Sequence, residues 1–213
     1  SLRMNNEPIK GHLYVNDVAY DSVVVIKKGV GTYLLNVENI ERPIIISIEI
    51  NNERSSDIIL SENNETFNDT VSGSISNPES IWEENSTVFV NSDLFIDTGS
   101  HLVIQAGVQV ILDEHVNIIV NGSMSINGVE ENPIIFKSKN RENPWGGIEF
   151  YNSISNIDNC FFINGGSDPS KGWAHTNTQP ILFAKENSIL NLNHSYLLFS
   201  PGKALGAHTS KVN

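Results

Sequence analysis

One tryptophan in this chain stands among groups able to hold a ligand. The segment Ser167-Asp168-Pro169-Ser170-Lys171-Gly172-Trp173-Ala174-His175-Thr176-Asn177-Thr178-Gln179 sets an indole beside a carboxylate, an ammonium and an imidazole. An indole buries a large apolar area against a sugar or a partner side chain, and polar neighbours fix the orientation by hydrogen bonds. Trp173, Lys171, Asp168 and His175 are therefore the candidate binding residues. Two readings of Trp173 stay open: presented to a ligand, or folded back to close its own loop.

Catalysis asks for a different pattern. A pair of carboxylates at a set separation on one face can serve as acid and base or as nucleophile. The acids from residue 85 onward include Asp113, Glu114, Glu130, Glu131, Glu142, Glu149, Asp158 and Asp168. Asp113-Glu114 falls between two strand-like runs and reads as a solvated turn. Glu149 alternates with Ile148 and Phe150, so it points outward from a strand and is the better candidate for a face residue. Leu182, taken as its equivalent in the next repeat, is not an acid, and no stacked catalytic row is visible. No catalytic residue is assigned.

Metal and cofactor sites are not expected either. The six histidines show no close ligand spacing, and Cys160, the single cysteine, excludes an internal disulfide and a thiolate cluster. It reads as a small buried residue. Asp158 and Asn193 occupy matching repeat positions and supply at most two oxygens to a calcium ion, which needs several. Asn156, Asn191 and Asn213 also share one repeat position, which favours a hydrogen-bonding ladder.

That repeat is the frame in which all these residues are held. Asn152-Ser153-Ile154-Ser155-Asn156-Ile157-Asp158-Asn159-Cys160-Phe161-Phe162-Ile163 aligns with Asn187-Ser188-Ile189-Leu190-Asn191-Leu192-Asn193-His194-Ser195-Tyr196-Leu197-Leu198, and Thr209-Ser210-Lys211-Val212-Asn213 opens a third copy. The spacings are 187 − 152 = 35 and 209 − 187 = 22. Short alternating strands at such a period are the signature of a β-solenoid, whose coils stack on one another. The surplus of 35 − 22 = 13 residues is best placed at 167–179, as a loop projecting from one coil.

The strand-like runs Leu102-Val103-Ile104-Gln105-Ala106-Gly107-Val108-Gln109-Val110, Asn132-Pro133-Ile134-Ile135-Phe136-Lys137-Ser138 and Trp145-Gly146-Gly147-Ile148-Glu149-Phe150 follow one another in this order. In motif and order they resemble secreted bacterial right-handed parallel β-helix proteins of the pectin-lyase-like kind, over about residues 75–213. The resemblance implies the fold, and it implies an exported protein. It leaves activity open, because such proteins include polysaccharide-degrading enzymes and non-catalytic surface proteins. It makes Trp145 part of the strand motif and a packing residue. The Asn- and Ile-rich sequence also resembles cell-surface and outer-membrane proteins of the Bacteroidetes.

The expected architecture is all-β: a small antiparallel β-sandwich at 1–62, a linker and N-terminal cap at 63–84 in which Trp82 covers the apolar core, and a right-handed parallel β-helix at 85–213. In the first part, runs at 12–15, 18–26, 32–37, 44–50 and 56–60 are the expected strands, with Asn16-Asp17 as a hairpin turn. Lys27-Lys28-Gly29-Val30-Gly31 lacks the spacing of a phosphate loop and reads as a turn. The last repeat is unfinished at Asn213, so either further rungs of a longer chain or a partner covers that end.

A formal net charge of −12 and a pI near 4.8 oppose binding to nucleic acid phosphates and anionic headgroups. No apolar stretch reaches the roughly 20 residues of a membrane helix. Lys137, Lys139 and Arg141 are read as the only basic cluster of the solenoid, which argues against acidic pectin-like substrates. The leading reading is a non-catalytic, exported cell-surface protein whose loop binds a protein or glycan. The alternatives are a carbohydrate-active enzyme with catalytic rungs beyond residue 213, and a structural spacer or adhesin stalk.

Overall fold

The computed structural model describes residues 9–15, 18–26, 44–51, 53–54, 58–60 and 67–213. The chain divides into two compact units, Ser1–Glu65 and Thr66–Asn213. In the first, β1 (Ile9–Val15) pairs antiparallel with β2 (Val18–Ile26), from Ile9 opposite Ile26 to Val15 opposite Val18. On its other edge β1 pairs with β3 (Ile44–Ile50), and β4 (Glu53–Arg54) and β5 (Ile58–Leu60) pair with β3. The Val- and Ile-rich composition of these strands suits a pleated, half-buried surface. The described strands make one antiparallel sheet. The expected strand at 32–37, the turn Asn16-Asp17 and the turn at 27–31 lie outside the described residues.

In the second unit the described residues form β6 (Asp69–Ile75), β7 (Glu79–Trp82), β8 (Thr87–Ile96), β9 (His101–Ile104), β10 (Gln109–Leu112), β11 (Ile118–Val120), β12 (Ser123–Asn127) and β13 (Ile134–Ser138). They continue with β14 (Ile148–Tyr151), β15 (Ile154–Asp158), β16 (Cys160–Ile163), β17 (Pro180–Lys185), β18 (Ile189–Asn193), β19 (Tyr196–Leu198), β20 (Lys203–His208) and β21 (Lys211–Val212). Every pairing among them is parallel. Three stacks result. The first is β8-β10-β13-β16-β19, the second β8-β11-β14-β17-β20, and the third β7-β9-β12-β15-β18-β21. Strand β8 serves two stacks because it bends at Asn91-Ser92-Asp93, its first half pairing with β10 and its second with β11. This is a parallel β-helix.

Strands β6 and β7 lie inside 63–84, the stretch expected to be linker and cap, and pair with β8 and β9 as strands of the opening coil. Their polar composition hid them. In β6 only Val71 and Ile75 are partly buried and the other residues are exposed, so most of its side chains face solvent. Trp82, on β7, is 7% exposed and joins the core.

The core is built of inward rows. Leu94, Ile118, Ile148 and Leu182 stack through successive coils in register, as do Val88, Val110, Phe136 and Phe162. Each such buried side chain contributes about 1.5–3 kcal/mol relative to exposure. Phe136 stacks on Phe162 with ring centres 5.0 Å apart. Trp145 is fully buried, with its Nε1 donating to the Ile163 carbonyl at 2.9 Å. Cys160 is fully buried, and burial pushes its thiol well above the ordinary value. A thiol reagent such as DTNB is therefore expected to label the native chain no faster than it unfolds; rapid native labelling would contradict this burial.

The ladder is formed. Asn191 Nδ2 donates to Asn156 Oδ1 at 2.8 Å, and Asn213 Nδ2 donates to Asn191 Oδ1 at 2.6 Å. Asp158 and Asn193 face each other in register, and the Asp158 carboxylate is taken by His194 Nδ1 at 3.0 Å.

Candidate functional site

The loop leaves the β-helix between β16 and β17, where residues 164–179 join strands that residues 199–202 join one coil later. Its first part is a single 3-10 turn, Pro169–Lys171. Asp168 caps this turn: its Oδ1 accepts from Ser170 N at 2.8 Å and from Ser170 Oγ at 2.7 Å, while Pro169 presets the backbone. The second part is a small hairpin. Trp173 N donates to Thr178 O at 3.2 Å and Asn177 N to Ala174 O at 3.0 Å, with Ala174 and Asn177 at φ of 57° and 48°. The tip, residues 174–177, is exposed and carries His175.

Asn117 ties the base of the loop to three coils. Its backbone N donates to Asp93 Oδ1 at 2.8 Å, and its Nδ2 donates to Asp168 Oδ2 at 2.8 Å and to His115 O at 2.9 Å. Its Oδ1 accepts from Gln179 Nε2 at 2.6 Å and from Gly147 N at 3.1 Å. Gln179 Oε1 in turn accepts from Asp168 N at 2.8 Å. Asn117 and Gln179 are each 1% exposed. Every polar atom of the Asn117 amide is thus used inside the fold. The hydrogen bonds from Ser170 and Asn117 outweigh the upward push of burial and hold the Asp168 carboxyl below its ordinary range.

Beneath the loop runs an outward row of the second stack: Phe95, Ile119, Glu149, Phe183 and Gly206, in register. Glu149 is fully buried. Its Oε1 accepts from Lys185 Nζ at 2.9 Å, its Oε2 accepts from Tyr151 OH at 2.7 Å, and Lys171 Nζ lies 3.5 Å from Oε2. Burial pushes this carboxyl upward. The hydrogen bonds from Lys185 and Tyr151 and the two ammonium charges outweigh it, so Glu149 stays ionised below the usual carboxylate range. Burial, then the bond to Glu149 and its charge, raise the Tyr151 phenol well above its ordinary value.

Trp173 is half-buried. Its ring centre lies 4.8 Å from that of Phe183 at 52°, and 6.4 Å from that of His208. Lys203 Nζ stands 5.7 Å from the indole centre and donates to the Trp173 and Thr178 carbonyls. Lys185 Nζ also lies 4.4 Å from the Phe183 ring centre. Two lysines from separate segments, Lys171 and Lys185, thus gather about one buried carboxylate, while Lys203 holds the hairpin at Trp173 and Thr178. Lys139 and Arg141 stand elsewhere, over Phe89 and Phe199.

Of the residues singled out from sequence, Asp168 caps its own turn, Lys171 faces Glu149, and Trp173 is folded onto Phe183. His175 stands free of them at the tip. Sequence reasoning missed Asn117, Gln179, Tyr151, Phe183, Lys185 and Lys203. For Asn117 there was a signal: it interrupts the apolar run Val116-Asn117-Ile118-Ile119-Val120. Glu149 faces outward from the core, but it is enclosed by the loop. Its partner on β17 is Phe183, not Leu182, which pairs with Ile148 and points inward. The offset is 183 − 149 = 34 residues on this face and 189 − 154 = 35 on the next, because the turn after β17 holds one residue more than the turn after β14.

Among the described residues no helix is long and apolar enough to cross a membrane, and no three or more His, Cys, Asp or Glu side chains gather to hold a metal ion. Residues 73–157 match the family model of the pectate-lyase-like β-helix domain. The match runs from β6 into β15 and stops before the loop. No curated protein and no solved structure matches the chain.

Proposed function

We propose that the pectate-lyase-like β-helix of this chain is a non-catalytic, exported cell-surface unit that binds a glycan on the outward face of its second stack, with residues 167–179 as the recognition loop. The observation that carries this reading is the clamping of the loop before any ligand arrives. Asn117 and Gln179 hold its base, Glu149 takes Lys171, and Lys203 takes the carbonyls on both sides of the hairpin. A preordered loop presents the free part of Trp173 and the tip at His175 without a further ordering cost.

The burial of Glu149 supports a binding role over a catalytic one. Both of its oxygens are occupied by Lys185 and Tyr151, and Lys171 lies above it, so no substrate proton comes within reach. The acidic balance of the whole chain adds support against nucleic acid as the ligand.

A glycan panel with calorimetry tests the reading. His175→Ala, at an exposed position, is expected to weaken glycan binding at unchanged melting temperature. Trp173→Ala is expected to weaken it roughly tenfold, about 1.4 kcal/mol. Cleavage of any bound polysaccharide, or binding that neither substitution touches, would sink the proposal.

A further inference from the structure

On the coils that precede the loop the same outward row is open at Phe95, while Ile119 beside it is buried. An open groove of about 750 Å³ lies there, lined by Phe95 and by Asn91, Ser92, Asp93, Glu114 and His115. The first three polar residues come from the bend of β8, and Glu114 and His115 from the turn between β10 and β11. Phe95, large and apolar, is 37% exposed. Among the described residues no lysine or arginine lines the groove. Its wall is continuous with the base of the loop, since His115 Nδ1 is 3.1 Å from Ser167 Oγ and Asp93 meets Asn117, which holds Asp168.

We infer that this groove is a second subsite on the face and takes uncharged hexose units of a glycan. The inference rests on the glycan-binding reading above and specifies the chemistry that one end of the face selects. The Phe95 ring buries the apolar face of a pyranose. Around it Asp93 and Glu114 offer carboxylate acceptors, and hydrogen bonds from hydroxyl groups to carboxylates are shorter and about twice as strong as those to neutral acceptors. The same two carboxylates, with no lysine or arginine among the described lining residues to offset them, repel uronate or sulfate groups. Phe95 and Phe183 are three strand steps apart on one row, about 14 Å at the usual spacing. That separation lies within the length of one linear oligosaccharide, whose far end would meet the loop at Trp173 rather than the buried Phe183.

The test is calorimetric titration of the intact chain with neutral hexasaccharides of glucose, mannose and galactose, and with polygalacturonate as the anionic probe. At least one neutral oligomer is expected to bind more tightly than polygalacturonate. Phe95→Ala is expected to lower that affinity about tenfold, and Glu114→Gln several-fold, with melting temperatures recorded for both. Glu114→Gln keeps the test sharp should Phe95→Ala fold poorly. Neutral binding that survives both changes but falls in Trp173→Ala overturns the groove and leaves the loop reading intact. Preference for polygalacturonate overturns the neutral assignment. Absence of binding to every glycan overturns both proposals.

Discussion

Asn117→Ala is expected to release the loop and to lower stability by about 3 kcal/mol or more. The substitution leaves Gln179 Nε2 and Gly147 N without their partner in a buried setting, where each unsatisfied group costs about 1–3 kcal/mol, and also frees the half-buried Asp168 Oδ2. Alanine offers no hydrogen bond and leaves a void too polar to stay dry and apolar. Two measurements check this. Denaturant unfolding gives the loss of stability, and trypsin reports the loop, since cleavage after half-buried Lys171 should become fast. Trp82 and Trp145 are buried in the core, so a red shift of fluorescence in the folded variant reports Trp173. An Asn117→Ala chain that melts like the parent and resists trypsin would show that the other clamps suffice.

Glu149→Gln comes second in size. The change leaves the Lys185 ammonium beside a neutral amide and removes the charge that Lys171 faces. Removing one member of a buried pair costs about 3–5 kcal/mol when both are enclosed. Lys185 and Lys171 are partly exposed, so water recovers some of the loss and roughly 2 kcal/mol is expected.

The pH dependence has a definite sign. Because the folded carboxyl titrates below its unfolded value, its contribution is present above the ordinary carboxylate pKa of 4.5 and is lost as pH falls through the folded value. Parent and Glu149→Gln melting temperatures should therefore differ most near neutrality and converge in acid. A gap that stays constant with pH would refute the ionised assignment. In alkali, Tyr151 should titrate only with unfolding, as its folded phenol lies above the ordinary value and stability falls as pH rises past 10.0.

Much of the fold was legible because a solenoid writes its register into the chain. Stacked coils place like residues on like, so the spacings of 35 and 22 reappear as the pairs Ile154 with Ile189 and Ile189 with Lys211. Asn156, Asn191 and Asn213 were readable as a ladder for the same reason. The opening strands β6 and β7 were not readable. Their burden of Ser, Asp, Thr and Glu looks like a linker until the neighbouring strands supply the parallel hydrogen bonds that composition cannot show.

The candidate site was legible only in part. The surplus of residues marked the loop and Trp173, and the alternation around Ile148-Glu149-Phe150 marked Glu149 as facing away from the core. What those side chains meet was hidden, since Lys171 and Lys185 reach Glu149, and Lys203 reaches Trp173, only when coils stack and the loop folds back.

The all-β class, the stacking period and the place of the insertion follow from the chain alone, because period-2 alternation and a repeated coil are local patterns, whereas the packing of Trp145 was an expectation from the family resemblance and that of Cys160 from the residue type. The tertiary structure alone decided that Glu149 is a sealed, ionised anchor, that Asn117 is the hub of the loop, and that Phe95 floors an open groove. Those outcomes depend on which coil lies above which and on where a loop comes to rest. Contacts between residues 24 to 62 positions apart are set by the register and closure of the whole β-helix.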